Sequence, residues 1–170
     1  MLLYLDEASV KWLLTIYRMW AKKGVQPEIP TPGGRKGIKL IGVVELTSGQ
    51  TLVDFAEKMK ADDFKRFLEH VMDVFGKHGK IWIILDNARV HHAKILKEFF
   101  EEVKSSLELI YLPPYSPKLN VIERLWRFMR KKVTHDMYYP TFDEFKEELT
   151  KFFKKYSVPN NVIKRICAKT

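Results

Sequence analysis

Cysteine is almost missing from this chain of 170 residues, where Cys167 stands alone. One thiol excludes a disulfide framework and any cysteine-based zinc site, and five histidines without cysteines do not compose a structural zinc centre. Long hydrophobic runs are missing too, since none approaches the ~20 residues of a membrane span. The opening Met-Leu-Leu-Tyr-Leu-Asp-Glu has no basic n-region and meets charge at Asp6, so it does not read as a signal peptide. No internal repeat or low-complexity linker is present. Gly33-Gly34-Arg35-Lys36-Gly37 lacks the Gly-Lys-Ser/Thr ending of a phosphate loop, which removes a Walker A motif. These absences lead us to expect an intracellular protein. Acidic charge is the scarcer sign, with 21 Asp and Glu against 30 Lys and Arg, net +9. That surplus favours a polyanionic partner, nucleic acid or an anionic membrane surface. With 46% hydrophobic and 13% aromatic residues, disorder is excluded and one domain with a substantial core is expected.

Short apolar runs at 2–6, 38–46, 51–55, 81–86 and 107–112 read as strands, the first delivering Asp6 and the fourth Asp86 at a carboxyl end. The second and third flank Thr47-Ser48-Gly49-Gln50, which predicts an antiparallel hairpin. Residues 9–21 fit strand or helix equally, and the Gly- and Pro-rich stretch 24–37 reads as an exposed excursion. Helices are predicted from an N-cap near Asp62 to Gly76 or Gly79, around Ile95 to Val103, and from a capping box at Thr141 and Glu144. Three leading strands followed by alternation point to a mixed α/β sheet covered by helices. On such sheets ligands gather at the carboxyl ends of strands.

The most structured stretch is 112–132, LPPYSPKLNVIERLWRFMRKK. Prolines at 113, 114 and 117 stiffen a loop. Then Leu119, Ile122, Leu125, Trp126, Met129 and Val133 recur at helical spacing as one apolar stripe, with Glu123 at its edge beside Arg127 and Arg130. Glu123 serves there either as a surface partner of Arg127 or as a carboxylate held at an active site. Asp6 and Asp86 divide in the same way between turn residues and ligands. If the two strands are neighbours, three carboxylates converge, repel one another and raise each other's pKa. Hard divalent cations relieve that repulsion, and oxygen ligands suit Mg²⁺ or Mn²⁺. Two such ions support in-line phosphodiester displacement.

LDNARVHHAK (85–94) together with LPPYSPKLNVIERLW (112–126) resembles the DDE endonuclease domain of mariner-superfamily transposases, in particular the bacterial insertion-sequence branch. Leu5-Asp6-Glu7 and Trp20-Ala21-Lys22-Lys23-Gly24 look like the family's first acidic block and the Trp-containing turn after it. The resemblance covers residues 2 to 135. Val121 stands where the family usually has proline, beside an intact Asn120 and Glu123.

The resemblance implies an RNase H-like fold, a mixed five-stranded sheet flanked by helices, with Asp6, Asp86 and Glu123 as catalytic and metal-binding triad. It implies Mg²⁺ or Mn²⁺, two ions, cleavage of transposon ends, and attack of the freed 3′-hydroxyl on target DNA, typically at a TA step. Glu7, Asn87, His91 and Asn120 are expected to support the ligands from behind. Arg124, Arg127, Arg130, Lys131 and Lys132 are candidates for contacts to double-stranded DNA; the same run reads equally as a solvated helix face. The expected layout is a single catalytic domain over 1–170, core 2–135 and C-terminal helical part 141–170. The family's N-terminal helix-turn-helix modules are expected to be absent, with a separate N-terminal DNA-binding polypeptide and a homo-oligomer as expected partners. The expected setting is the prokaryotic cytoplasm, in association with the nucleoid. Two rival readings are a non-catalytic DNA-binding remnant and an RNase H-type nuclease.

Overall fold

The structure is a computed structural model that describes residues 1–13, 22–24, 36–56, 58–114 and 119–168. Five strands, β1 (Leu2–Lys11), β2 (Gly37–Glu45), β3 (Thr51–Ala56), β4 (Ile81–Leu85) and β5 (Leu107–Tyr111), form one sheet in the order β3-β2-β1-β4-β5. β2 and β3 make the expected antiparallel hairpin and β2 runs antiparallel to β1, while β4 and β5 join β1 in parallel. Among the described residues there are five α-helices: α1 (Ala61–Phe75), α2 (Leu96–Val103), α3 (Ile122–Met129), α4 (Phe142–Tyr156) and α5 (Asn161–Ala168).

Period-two alternation in the strands explains why there are two cores rather than one. Leu3, Leu5, Ile41, Val43, Ile81, Ile83 and Leu85 turn to one face and pack with Phe64, Phe67, Leu68, Val71 and Phe75 of α1 and with Leu96 and Phe99 of α2. Ala8, Val10, Ile38, Leu40 and Val44 turn to the other face. There they meet Ile122, Leu125, Trp126 and Met129 of α3, with Phe145, Leu149, Phe152 and Phe153 of α4 and Ile163 of α5. The result is a three-layer helix–sheet–helix sandwich.

Three expectations shift. β1 runs on to Lys11, so Asp6 and Glu7 lie in mid-strand rather than at its end; Ala8 and Val10 continue the buried alternation past them. α1 is capped by Lys60 and not by Asp62. Asp63, three residues on, accepts from the Lys60 backbone N–H at 3.2 Å. Leu119 and Ile95, expected in apolar stripes, are 53% and 55% exposed because each precedes its helix. The helix from Thr141 is as expected, its hydroxyl accepting from the Glu144 N–H at 3.2 Å. Residues 14–21, 25–35 and 115–118 lie outside the described residues, and with them the readings made for Trp20, the Gly-rich excursion and Tyr115-Ser116-Pro117.

The hairpin tip docks on α5. The Asn160 N–H donates to the Ser48 carbonyl at 2.8 Å. Gly49 stands at φ +73°, where a Cβ would lie 2.2 Å from the Asn160 carbonyl oxygen.

Candidate metal centre and nucleic-acid interface

Alternation along β1 sends Asp6 to the face covered by α3. There the indole Nε1 of Trp126 donates to Asp6 Oδ2 at 3.0 Å. Trp126 is only 1% exposed, and what lies beneath it explains how it fits. Gly42 is the β2 partner of Asp6. A Cβ at Gly42 would stand 2.8 Å from Trp126 Cη2 and 2.9 Å from Val53 Cγ2. Only glycine lets the ring lie against the sheet there. Two residues ahead of α3, the buried Asn120 donates from Nδ2 to the Leu5 carbonyl at 2.7 Å. α3 is thus tied to β1 at two successive residues, Leu5 and Asp6, and Glu123 sits between the two tying side chains. Burial pushes the Asp6 carboxyl from its ordinary 3.8 up to about 7, with the charges of Glu123 and then Glu7 adding to it. The Trp126 and Glu7 N–H groups pull weakly the other way.

Asp86 follows β4 directly. Because Leu3 pairs with Ile83 and Tyr4 with Ile84 in parallel register, two further residues bring Asp86 level with Asp6. Asp86 is exposed, and its Oδ1 accepts from the Ala88 N–H at 3.1 Å. Behind it lies His91, 1% exposed and packed on the Phe64 ring. Its Nδ1 faces the Asp86 backbone carbonyl at 3.1 Å and Asp86 Oδ1 at 3.5 Å, and its Nε2 faces Glu7 Oε1 at 2.9 Å. Both ring nitrogens meet acceptors, so the imidazole that satisfies them is the doubly protonated cation. Burial opposes that charge, but the hydrogen bond and charge of Glu7, and then Asp86, hold the pKa above the ordinary histidine value.

Ligand atoms of Glu7, Asp86 and His91 lie within 4.8 Å of one another, and they are the one such group among the described residues. The expected trio is therefore divided. Asp6 and Glu123 share the α3 side, whereas the Asp86 side chain leans towards His91 and Glu7. Glu7, expected merely to support a ligand, belongs to the tight group. Asn87 Oδ1 accepts from His92 Nε2, and His92 stacks on Tyr111 with ring centroids 4.7 Å apart.

These residues fit a divalent cation. Asp6 is raised first by burial and then by two neighbouring carboxylates, with no cationic side chain among the groups acting on it. Asn120 Oδ1 is buried with no hydrogen-bond partner. Oxygen donors of this kind suit a hard ion.

Of the basic candidates, Arg124 is engaged in the fold, its Nη1 donating to the Cys167 carbonyl at 2.8 Å and so docking α5. Arg127, Lys131 and Lys132 are exposed and Arg130 half-buried. None of the helices among the described residues is long and apolar enough to cross a membrane.

Sequence reasoning missed the pairing of Trp126 with Asp6 and of His91 with Glu7. The signal for the first was a lone glycine inside IKLIGVVEL, since glycine in a strand interior marks a close approach. The second joins residues 84 apart in the chain and leaves no local pattern.

A family model described as DDE superfamily endonuclease matches residues 1–146. An insertion element IS630 uncharacterized 39 kDa protein from Shigella sonnei is 25% identical over 133 residues, 78% of this chain and 38% of that protein. The transposable element Tc3 transposase of Caenorhabditis elegans is 28% identical over 115 residues, 65% of this chain and 34% of its own. The chain therefore spans well under half the length of these relatives. In three dimensions it is similar to the Mos1 transposase paired-end complex with left transposon end, at TM-score 0.74 and 15% identity, covering 98% of this chain and 51% of that one. The catalytic domain of Mos1 mariner transposase matches at TM-score 0.68 and 13% identity, over 98% of this chain and 74% of that one. At such identities the likeness is one of fold, and the fold is RNase H-like.

Proposed function

The chain belongs to the DDE superfamily endonucleases, and from that membership we propose that it is the catalytic domain of a metal-dependent transposase. Its activity is that of a DNA endonuclease and strand transferase that cuts transposon ends and joins them to target DNA. The observation that carries this reading is the setting of Asp6 in the middle of β1. Asp6 stands under α3 with its carboxyl raised to about 7 by burial and by Glu123, and Asp86, directly after the adjacent β4, is level with it.

Asp6, Asp86 and Glu123 would hold the divalent ions, two of them, Mg²⁺ or Mn²⁺. When bound, these ions supply positive charge that polarises the phosphodiester and acidifies the attacking water. The rest falls to side chains of this chain. Trp126 occupies Asp6 Oδ2 and leaves Oδ1 for a cation. Asn120 holds the strand at Leu5, and His91 fixes the turn that carries Asp86. Arg127, Arg130, Lys131 and Lys132 face the DNA backbone, while Arg124 is kept for docking α5. The similar solved structures of Mos1 transposase with a transposon end and in a strand transfer complex support a DNA substrate. End recognition comes from helix-turn-helix modules on the same or a separate polypeptide, and the working form is a homo-oligomer in the prokaryotic cytoplasm.

Calorimetric titration with Mn²⁺ tests the centre, comparing the wild type with Asp6→Asn/Asp86→Asn. Binding by the wild type alone is the expected result; equal binding by both would sink the assignment. Cleavage of duplex DNA rather than RNA–DNA hybrid separates a transposase from an RNase H-type nuclease. DNA binding with neither metal binding nor cleavage would mark a remnant.

A further inference from the structure

The turn that carries Asp86 is pinned through two adjacent residues that leave it in different directions. Arg89–His92 forms a single 3-10 turn, in which consecutive side chains stand about 120° apart. His91 goes inward to Glu7 and Phe64. His92 stays exposed and lies on Tyr111, ring centroids 4.7 Å apart. Tyr111 pairs with Leu85 in the parallel register of β4 and β5, so that ring stands beside the residue preceding Asp86. The carboxylate centre engages the inner half of the turn through His91. The outer half, made of Asn87, His92 and Tyr111, has chemistry of its own.

Asn87 is exposed and adjoins Asp86, and its amide is left with one kind of work. Its Oδ1 accepts from His92 Nε2, so the ring carries a proton on that nitrogen. The two Nδ2 hydrogens meet no partner among the described residues. An amide nitrogen does not ligate a hard cation, and the oxygen that would do so is taken. Asn87 is therefore a donor beside a carboxylate ligand, and it needs an acceptor. Base edges offer acceptors only inside the grooves, whereas non-bridging oxygens line the whole strand. The group that Asp86 is assigned to serve is a phosphate. Adjacent Cα atoms lie about 3.8 Å apart, so the acceptor nearest to hand is an oxygen of the phosphate being cut.

We propose that Asn87 donates from Nδ2 to a non-bridging oxygen of the scissile phosphate, and that His92, stacked on Tyr111, is a positioning residue that keeps the amide in its donating orientation. This role rests on the reading of the chain as a DNA endonuclease and adds to it a donor that is not a cation. A neutral donor preset at that oxygen stabilises charge as it builds up there, and it does not compete with the carboxylates for the ions. Without His92 the amide is free to turn over and present oxygen to oxygen. The ring's part is orientation.

The test is Mn²⁺-dependent cleavage of a DNA duplex in which one bond that the wild type cuts carries a phosphorothioate of defined configuration. Cutting there is read on a denaturing gel beside the unmodified duplex. Mn²⁺ accepts softer ligands than Mg²⁺ does, so a sulfur penalty that persists in Mn²⁺ reports a lost hydrogen bond. The wild type is expected to cut one configuration about 10-fold more slowly, the worth of one hydrogen bond. Asn87→Ala should cut the unmodified duplex about 100-fold more slowly and treat both configurations alike. His92→Phe keeps a ring over Tyr111 but removes the N–H, and should slow cutting about 10-fold. His92→Gln restores a donor and should recover most of that loss. Asn87→Ala/His92→Phe should be no slower than Asn87→Ala, because the histidine acts only through the amide. Calorimetry should give every variant the Mn²⁺ affinity of the wild type. Asn87→Ala cutting at the wild-type rate or keeping the sulfur penalty overturns the donor, as does a fall in Mn²⁺ affinity that accounts for the slowing. Rates that multiply in the double variant overturn the positioning by His92. A wild type that binds Mn²⁺ but cuts no duplex defeats the endonuclease reading and this role with it. One that cuts while Asn87→Ala matches it defeats this role alone.

Discussion

Consider the smallest change that reaches the centre without touching a carboxylate, Gly42→Ala. The added Cβ would stand 2.8 Å from Trp126 Cη2 and 2.9 Å from Val53 Cγ2, where carbon atoms prefer about 3.5–4.0 Å. The indole must therefore lift from the sheet by roughly 1 Å. Trp126 has little room, since it is buried and Phe153 stands edge-on to it with centroids 6.1 Å apart. Overpacking of this sort costs about 1–3 kcal/mol, which in a domain of this size lowers the melting temperature by about 2–4 °C for each kcal/mol. The lifted ring also stretches the 3.0 Å bond from Nε1 to Asp6 towards the limit where a hydrogen bond ceases to count. Losing a group that orients a metal ligand typically lowers metal affinity by about 10–100-fold. Thermal melts and Mn²⁺ calorimetry read the two effects separately. Trp126→Phe should lose the affinity as well, for want of the N–H, while removing the ring atom that the new Cβ strikes. In the double variant the stability cost of the alanine should shrink, giving a coupling of about 1 kcal/mol or more. Additive stabilities, or Gly42→Ala binding Mn²⁺ as the wild type does, would refute the argument that glycine is there for the indole and the indole for Asp6.

Three further outcomes follow from the same geometry. Asp6 has a folded pKa of about 7 against an ordinary 3.8. Its contribution is therefore fully present below about pH 4 and is lost as pH rises through about 7. Denaturant melts of the metal-free protein should show stability falling across that window, and Asp6→Asn should flatten the fall; an identical slope in both would show Asp6 is not the group responsible. Asp86→Ala should abolish Mn²⁺-dependent DNA cleavage with a melting curve close to the wild type, because the side chain is exposed; retained cleavage would remove it from the centre. His91→Leu strips the partner from Glu7 and from the Asp86 carbonyl and should cost about 1–3 kcal/mol. Chemical denaturation checks this, and an unchanged midpoint would show that the buried imidazole holds nothing in place.

How far the chain could be read in advance depended on the range of the interaction involved. The α3 stripe was legible because Ile122, Leu125, Trp126, Met129 and Val133 are neighbours on one helix, and a period of 3.6 displays them together. The hairpin and the capping box at Thr141 were legible for the same local reason. β1 was cut short at Asp6 because an apolar run was followed in place of an alternation; Ala8 and Val10 stay buried on the far side of two carboxylates, which a period of two would have allowed. α5 lies within the helical part expected over 141–170 but is not separable there as its own element, because eight residues with two buried side chains carry too little periodicity to stand out. The centre was half legible. The carboxylates proposed for it stand out in the sequence, but their division between the two faces of the sheet does not, since it follows from Asp6 and Glu7 being adjacent on a strand. One must then meet α3 and the other the turn after β4. That parity also makes the centre more than a trio. The side chain on the far face, Glu7, reaches Asp86 through His91, so Asp86 is held from behind while Asp6 is held from above by Trp126. A change on either face should therefore be felt at metal binding before it is felt in the fold.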